Sequence, residues 1–367
     1  MSAPAPHLLV MAGGTGGHIM PGLAVAERMH ARGWRISWLG TRGGMEEELV
    51  RAAHWPLLTV EFSAWVGQGW RARLALPICL LRAWRAIGAR FGQDRPDVAI
   101  GFGGYPSVPG ALWAWTHAVP LLVHQSDVVA GRANRLLARL ATRVLVGFEE
   151  TLREHAHKRI VTGNPLRAGF ADAPTPAQRF AQRTGPLRLL VLGGSRGAAW
   201  LNETVPLALA QLPETKRPEV LHQCGRGARE ATEAAYRRAG VRARVEEFVG
   251  DSLAAMCEAD LLVGRAGAST VSELAAVGLG AILVPYPHHR DQQQLHNARV
   301  LERAGAAEVL DQLTTSAEAL ATRLLRLDRA RCLELAERAR RCARLDATER
   351  ICEAIVAAVR RDVGGGR

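Results

Sequence analysis

The sequence predicts an α/β protein built from two Rossmann-like, doubly wound parallel-sheet domains facing across a cleft. Three observations predict it. Short apolar runs alternate with amphipathic stretches, the alternation begins afresh near the middle of the chain, and glycine-rich turns directly follow several of the apolar runs. At 367 residues the chain is too long for one ordinary core and suits two.

In the first half, His7 to Ala12 reads as a buried strand, and Pro21 to Ala31 as a helix with Leu23, Ala26 and Met29 on one side. Ile36 to Leu39, Val98 to Phe102 and Leu121 to His124 read as further strands. The second half restarts with a strand at Leu187 to Leu192, a helix at Gly197 to Leu212, and strands at Val220 to Gln223, Asp260 to Val263 and Ile282 to Val284. Asp172 to Arg188 is rich in Pro, Ala, Thr and Gln, which places the boundary between Asn164 and Pro186. The two halves echo each other: Val10 to Gly17 and Val191 to Gly197 are both strand-to-glycine turns.

Hydrophobic residues at 48% and charged residues at 22% exclude a disordered polymer and a membrane bundle. The net charge of +12, mostly arginine, suits anionic partners without choosing among them, and a high-GC genome would produce the same excess. Six scattered cysteines form no C-x-x-C pair or Cys/His cluster, so they read as buried thiols of a reducing compartment. No export signal is expected, because Ala12 to Gly17 interrupts the first apolar run. The weakly polar run Val108 to Val123 is broken by Pro109, Thr116, His117 and Pro120 and is not expected to span a membrane.

A glycine turn between a strand and a helix brings backbone N–H groups close to phosphate, and the helix N-terminus favours negative charge. Gly13-Gly14-Thr15-Gly16-Gly17-His18 is such a turn, but Ile19 stands where a dinucleotide fingerprint needs its third glycine, and no Gly-Lys-Ser/Thr follows to make a Walker A loop. A third loop, Gly101 to Gly110, follows the strand at Val98. Each loop alone is explained by the demands of a tight turn; three at strand ends fit that explanation less well.

These segments carry a resemblance. Gly-Gly-Thr-Gly-Gly-His at 13–18, Gly-Gly-Tyr at 103–105, Gly-Asn-Pro-Leu-Arg at 163–167, Gly-Gly-Ser-Arg-Gly-Ala at 193–198, Arg-Ala-Gly-Ala-Ser-Thr-Val-Ser-Glu at 265–273, Pro-Tyr-Pro-His at 285–288 and the stretch Gln294 to Ala298 resemble the MurG family, in order, across nearly the whole chain. The resemblance implies a GT-B fold, with an N-terminal acceptor and membrane-docking domain at 1–164 braced by 341–367, and a UDP-sugar donor domain at 165–340. It implies inverting transfer of GlcNAc from UDP-GlcNAc to the C4 hydroxyl of MurNAc in undecaprenyl-pyrophosphoryl-MurNAc-pentapeptide (lipid I), giving lipid II. The expected setting is peripheral, at the cytoplasmic face of the plasma membrane, on an anionic surface and without nucleic acid. No cofactor is implied, and with no Asp-x-Asp pair in the chain a metal-clamped diphosphate is not expected.

The residue roles follow from the same resemblance. Thr15, Gly16 and Gly17 would approach a diphosphate, Ser195 and Arg167 the donor phosphates and nucleotide, and Val249, after Phe248, the uracil edge. Ala268, Ser269, Thr270, Val271, Ser272 and Glu273 would meet ribose and phosphate, the Glu273 carboxylate accepting from both ribose hydroxyls. Gln293, Gln294 and Asn297 would read the sugar. Gly103, Gly104, Tyr105, His124, Asp127 and Asn134 would contact the acceptor. His18 would act either as the base for the acceptor hydroxyl or as a donor to pyrophosphate. One position departs from the family: His124-Gln125-Ser126-Asp127 has an amide where the pattern commonly has Glu, which leaves Gln125 a positioning role but not a general-base role.

Between Phe62 and Phe91 no acidic residue occurs, and Trp70, Leu74, Ile78, Leu81 and Trp84 are interleaved with Arg71, Arg73, Arg82 and Arg85. That pattern suits an anionic bilayer surface. A UDP-sugar epimerase, a glycolipid synthase acting on diacylglycerol and a catalytically silent UDP-sugar-binding protein remain as alternatives.

Overall fold

The computed structural model describes residues 4–14, 16–62, 70–194 and 197–364, without the side chains at 70–74 and 361–364. The expectations for Thr15 and Ser195, and for the side chains of Trp70, Arg71, Arg73 and Leu74, lie outside the described residues. Two compact units result, one comprising Met1–Arg167 with Asp346–Arg367 and the other Ala168–Leu345.

The first unit contains β1 (His7–Ala12), α1 (Gly16–Ala31), β2 (Arg35–Thr41), α2 (Glu46–Ala52), β3 (Leu57–Val60), α3 (Trp70–Phe91), β4 (Val98–Gly103), α4 (Ser107–Thr116), β5 (Leu121–Gln125), α5 (Arg132–Leu140), β6 (Arg143–Val146) and β7 (Arg159–Val161). The second begins with α6 (Pro176–Phe180), β8 (Arg188–Leu192), α7 (Ala199–Ala210), β9 (Glu219–Gln223), α8 (Arg229–Arg238), β10 (Arg244–Glu246) and α9 (Ser252–Glu258). It continues through β11 (Leu261–Gly264), α10 (Ala268–Val277), β12 (Ala281–Leu283), α11 (Gln293–Arg303), β13 (Ala307–Val309), α12 (Ala317–Leu325) and α13 (Arg329–Arg341), after which α14 (Ala347–Gly364) belongs to the first unit.

The seven-stranded sheet runs β3-β2-β1-β4-β5-β6-β7 and the six-stranded sheet β10-β9-β8-β11-β12-β13. The strand pairings are parallel. Counted from its own first strand, the second sheet follows the order 3-2-1-4-5-6 and the first the same order with a seventh strand added at the end, so each reverses direction once, between β1 and β4 in one and between β8 and β11 in the other. Ligands of such sheets bind beyond the carboxyl ends at that reversal. The glycine turns after β1, β4 and β8 and the start of α10 after β11 all lie there.

Both faces of the first sheet are buried, because alternate residues of one strand serve different cores. Leu8 and Val10 pack with Ile19, Leu23 and Met29 of α1 and with Ile351 and Ile355 of α14. Leu9 and Met11 pack on the opposite face with Ile87 and Phe91 of α3 and Trp113 of α4.

Several expected bounds change. The first helix starts at Gly16, not Pro21, so the glycine turn supplies the helix's own first turn and Pro21 lies inside it. The helix expected from Gly197 starts at Ala199, since Gly197 is left-handed at φ 72°. The strands β3, β6, β7, β10 and β13 were not anticipated; each has only three or four residues, too few to show a period. Of the six cysteines, Cys224, Cys332 and Cys352 are buried, whereas Cys79, Cys257 and Cys342 are half-buried on helix flanks or ends.

Candidate functional site

In the first unit the turns after β1 and β4 interlock. Gly104 (φ 83°) lies so close to the Gly13 backbone that a Cβ would overlap the Gly13 carbonyl oxygen, and a Cβ on Gly103 (φ 111°) would stand 2.9 Å from the His18 ring. His18 is thereby seated between the two turns, with Nδ1 3.4 Å from the Gly13 carbonyl oxygen. That oxygen can only accept, so in the neutral ring Nδ1 carries the proton and Nε2 the lone pair. Burial holds the His18 pKa below its ordinary value, opposed by the Asp127 carboxylate and the Gly13 carbonyl. Tyr105 stands exposed beside this seat. The helix N-terminus at Gly16 and Gly17 presents first-turn amides beyond the strand end.

The loop after β5 is held from within. His124 is fully buried, its Nε2 donating to the Gly163 carbonyl at 3.1 Å, and burial pushes its pKa down to about 4, so it is neutral at physiological pH. Asn164 Nδ2 donates to the Ser126 carbonyl at 3.1 Å, which explains the Gly-Asn at 163–164: this pair carries the loop on which Asp127 sits. Gln125 is buried, donating from Nε2 to the Asp127 carbonyl at 3.1 Å and accepting at Oε1 from Asn134 Nδ2 at 2.8 Å. A carboxylate at 125 keeps the Asn134 bond but turns an acceptor onto an acceptor at Asp127. Gln125→Glu is therefore expected to destabilise the protein by about 1–3 kcal/mol without raising turnover. Thermal unfolding and steady-state rates of the variant check this; a rate increase of orders of magnitude would return a base role to position 125.

In the second unit, Gln223 at the end of β9 donates to the Gly194 carbonyl at 3.3 Å. Asn202 donates to the Cys224 carbonyl at 3.1 Å and contacts His222 Nε2 at 3.0 Å, and a Cβ on Gly197 would overlap that same Cys224 carbonyl. Gln223 thus holds the second glycine turn at Gly194, and Asn202 holds the Cys224 backbone on which Gly197 packs. The start of α10 offers the N–H groups of Ala268, Ser269 and Thr270, since the bond from Val271 N to the Gly267 carbonyl is the first of the helix. Glu273 is buried on the same helix, between the partly exposed Ser272 and the buried Leu274. Val249 is buried, while the neighbouring Phe248 is 68% exposed, an aromatic face open to a base. Gln294 accepts from the Tyr286 N–H at 2.9 Å and Gln293, beside it, is half-buried.

Asn297 is fully buried with Nδ2 3.2 Å from the Ala266 carbonyl, beneath the Arg265–Gly267 loop instead of at its surface. Arg265, over the Tyr286 ring and bonded to the Val284 carbonyl and Gln312, ties the loop after β11 to the loop after β12. Arg167 is half-buried at the end of the first unit.

On α3, Ile78 and Leu81 are about half exposed beside exposed Arg82 and Arg85, whereas Trp84 lies against α4 with its indole N–H on Thr116 at 3.1 Å. Trp115 of α4 is 55% exposed; between Ser107 and Thr116 its helix is apolar throughout, so no pattern marks it as a surface residue. Among the described residues, no helix is long and apolar enough to cross a membrane.

The N-terminal domain of glycosyltransferase family 28 matches residues 8–146 and the C-terminal domain of that family matches 188–351. A relative from Azoarcus sp. (strain BH72) is 48% identical over 348 residues, covering 95% of this chain and 96% of its own, and one from Burkholderia ambifaria (strain MC40-6) is 46% identical with 98% of both chains covered. Each is named a UDP-N-acetylglucosamine--N-acetylmuramyl-(pentapeptide) pyrophosphoryl-undecaprenol N-acetylglucosamine transferase. The solved structure of Acinetobacter baumannii MurG superimposes with a TM-score of 0.83 at 34% identity, over 96% of this chain and 99% of that one. Two parallel Rossmann-like sheets of the same strand order, the glycine turns at their reversals and this likeness over nearly the full length place the chain in the MurG family of GT-B glycosyltransferases.

Proposed function

We propose that this protein transfers GlcNAc from UDP-GlcNAc to the C4 hydroxyl of MurNAc in lipid I, with inversion, to form lipid II while docked on the cytoplasmic face of the membrane. The observation that carries this reading is the identity of 46–48% over almost the whole chain to relatives that bear one and the same activity name. The second unit is the donor domain. The turn after β8 and the start of α10 meet the diphosphate, Glu273 the ribose, Phe248 and Val249 the uracil, and Gln293 and Gln294 the sugar. In the first unit, Gly16 and Gly17 meet pyrophosphate, and Tyr105, Asp127 and Asn134 line the acceptor site around His18.

In the displacement, the acceptor oxygen forms a bond to the anomeric carbon as the bond to UDP breaks. The hydroxyl proton goes to His18 Nε2, and the Asp127 carboxylate steadies the resulting imidazolium. Negative charge growing on the leaving diphosphate is met by backbone amides and helix N-termini already in place, which require no reorganisation during reaction. The exposed Ile78 and Leu81, with Arg82 and Arg85, form the surface that docks on anionic lipid.

The test is transfer of labelled GlcNAc to a lipid I analogue and to diacylglycerol in one assay, with retention on phosphatidylglycerol vesicles measured in parallel. UDP release that requires the lipid I analogue supports the reading. Release without acceptor indicates an epimerase or hydrolase, transfer to diacylglycerol a different glycolipid synthase, and UDP-GlcNAc binding without release a silent binding protein.

A further inference from the structure

Glu46, at the start of α2, has no place in the chemistry described so far, yet its side chain is fully buried directly beneath the first glycine turn. Buried carboxylates are rare without compensation. Here the compensation is backbone: Oε2 accepts from the Gly14 N–H at 3.2 Å and Oε1 from the Thr41 N–H at 2.6 Å. The surroundings are cut to fit it. A Cβ on Gly40 would stand 2.7 Å from Glu46 Cγ, and a Cβ on Gly13 or Gly44 would overlap the carboxylate itself. Three glycines, one in β2 and one in each of the loops after β1 and β2, thus make room for one charged side chain, whereas a neutral apolar residue would fill the same space without the desolvation of a carboxylate.

The contacts run onward from there. Glu46 holds Gly14 in its left-handed conformation at φ 91°, the adjacent Gly13 carbonyl meets His18 Nδ1, and Gly104 packs on the Gly13 backbone. Because its N–H is committed inward to Glu46, Gly14 is not an anion donor, and recognition of a pyrophosphate falls to the amides at the start of α1. The carboxylate itself would repel an anion, so its service is geometric.

We propose that Glu46 is a positioning residue: by clamping Gly14 and Thr41 it sets the turn that presents the α1 amides to pyrophosphate and seats His18. This rests on the functional reading above for the identity of the pyrophosphate, but not for the clamp. Glu46→Gln keeps one acceptor and turns an NH2 group onto a backbone N–H; Glu46→Asp keeps the charge and draws it back by one methylene.

Two measurements on the full chain test it. In hydrogen–deuterium exchange, the segment from Met11 to Met20 is expected to exchange about tenfold faster in Glu46→Gln while β8 to β11 are unchanged. In steady-state transfer, kcat is expected to fall about 10–100-fold in Glu46→Gln, and by less in Glu46→Asp, with KM for UDP-GlcNAc within about twofold of wild type. Unchanged exchange in that segment overturns the proposal. So does a loss of transfer matched by an equal loss of UDP binding, which marks general unfolding. A wild type that fails to use the lipid I analogue refutes the functional reading and leaves the exchange result to decide on Glu46.

Discussion

His18→Ala is expected to lower kcat/KM for transfer by about 10²–10⁴-fold, the usual range for a lost general base, with little change in UDP binding. The tautomer argues for base over donor: with the Gly13 carbonyl on Nδ1, the neutral ring presents its lone pair at Nε2. The pH dependence follows. Burial lowers the His18 pKa below 6.5, so the ring is neutral and competent at pH 7, and the rate should decline only as pH falls through that lowered value. Asp127 is one of the two influences that raise the His18 pKa. Asp127→Asn should therefore move the acid limb to still lower pH while reducing kcat, because the imidazolium formed in the reaction loses its counter-charge. His18→Gln separates the two roles: a glutamine can donate to pyrophosphate but cannot take a proton at neutral pH. Activity near wild type in His18→Gln would mean that His18 serves as a donor.

That assignment also bears on the departure at position 125. Read as sequence, Gln125 in place of a carboxylate leaves a positioning role and removes a general-base role, without saying what is positioned. In the structure the residue points into a buried network with Asn134 and the Asp127 backbone, and the carboxylate near His18 is that of Asp127, two residues on. Burial state and hydrogen-bond direction are properties of the folded loop, so the four-residue string could not reveal them. The glycine turns, by contrast, were legible, because a strand followed by glycines and then an amphipathic run has few other solutions in a doubly wound sheet. Their supports were not. Glu46 and Gln223 lie 30 or so residues from the turns they hold, on neighbouring strands or helices, and only the parallel pairing of β1 with β2 and β8 with β9 brings them there. Trp115 was hidden for the opposite reason, since an apolar helix does not declare which face lacks a neighbour.

The second large effect is expected at Gly104. Any side chain there must adopt φ 83°, which costs about 1–2 kcal/mol for an L-residue. Its Cβ would also press on the Gly13 carbonyl oxygen, carbon and nitrogen, all backbone atoms that no rotamer change can move aside. Overpacking of that kind costs about 1–3 kcal/mol more, and the cheapest relief is to separate the turn after β4 from the turn after β1. Gly104→Ala should therefore lower stability by about 2–5 kcal/mol in total and, in the fraction that stays folded, unseat His18. Transfer is expected to drop to the level of His18→Ala, while UDP binding per folded molecule is retained, because the second unit has its own turns and supports. Denaturant unfolding, steady-state transfer and UDP titration of the one variant measure all three quantities. Wild-type transfer by a stably folded Gly104→Ala would show that the two turns need not touch, and with that the seat ascribed to His18 would be wrong.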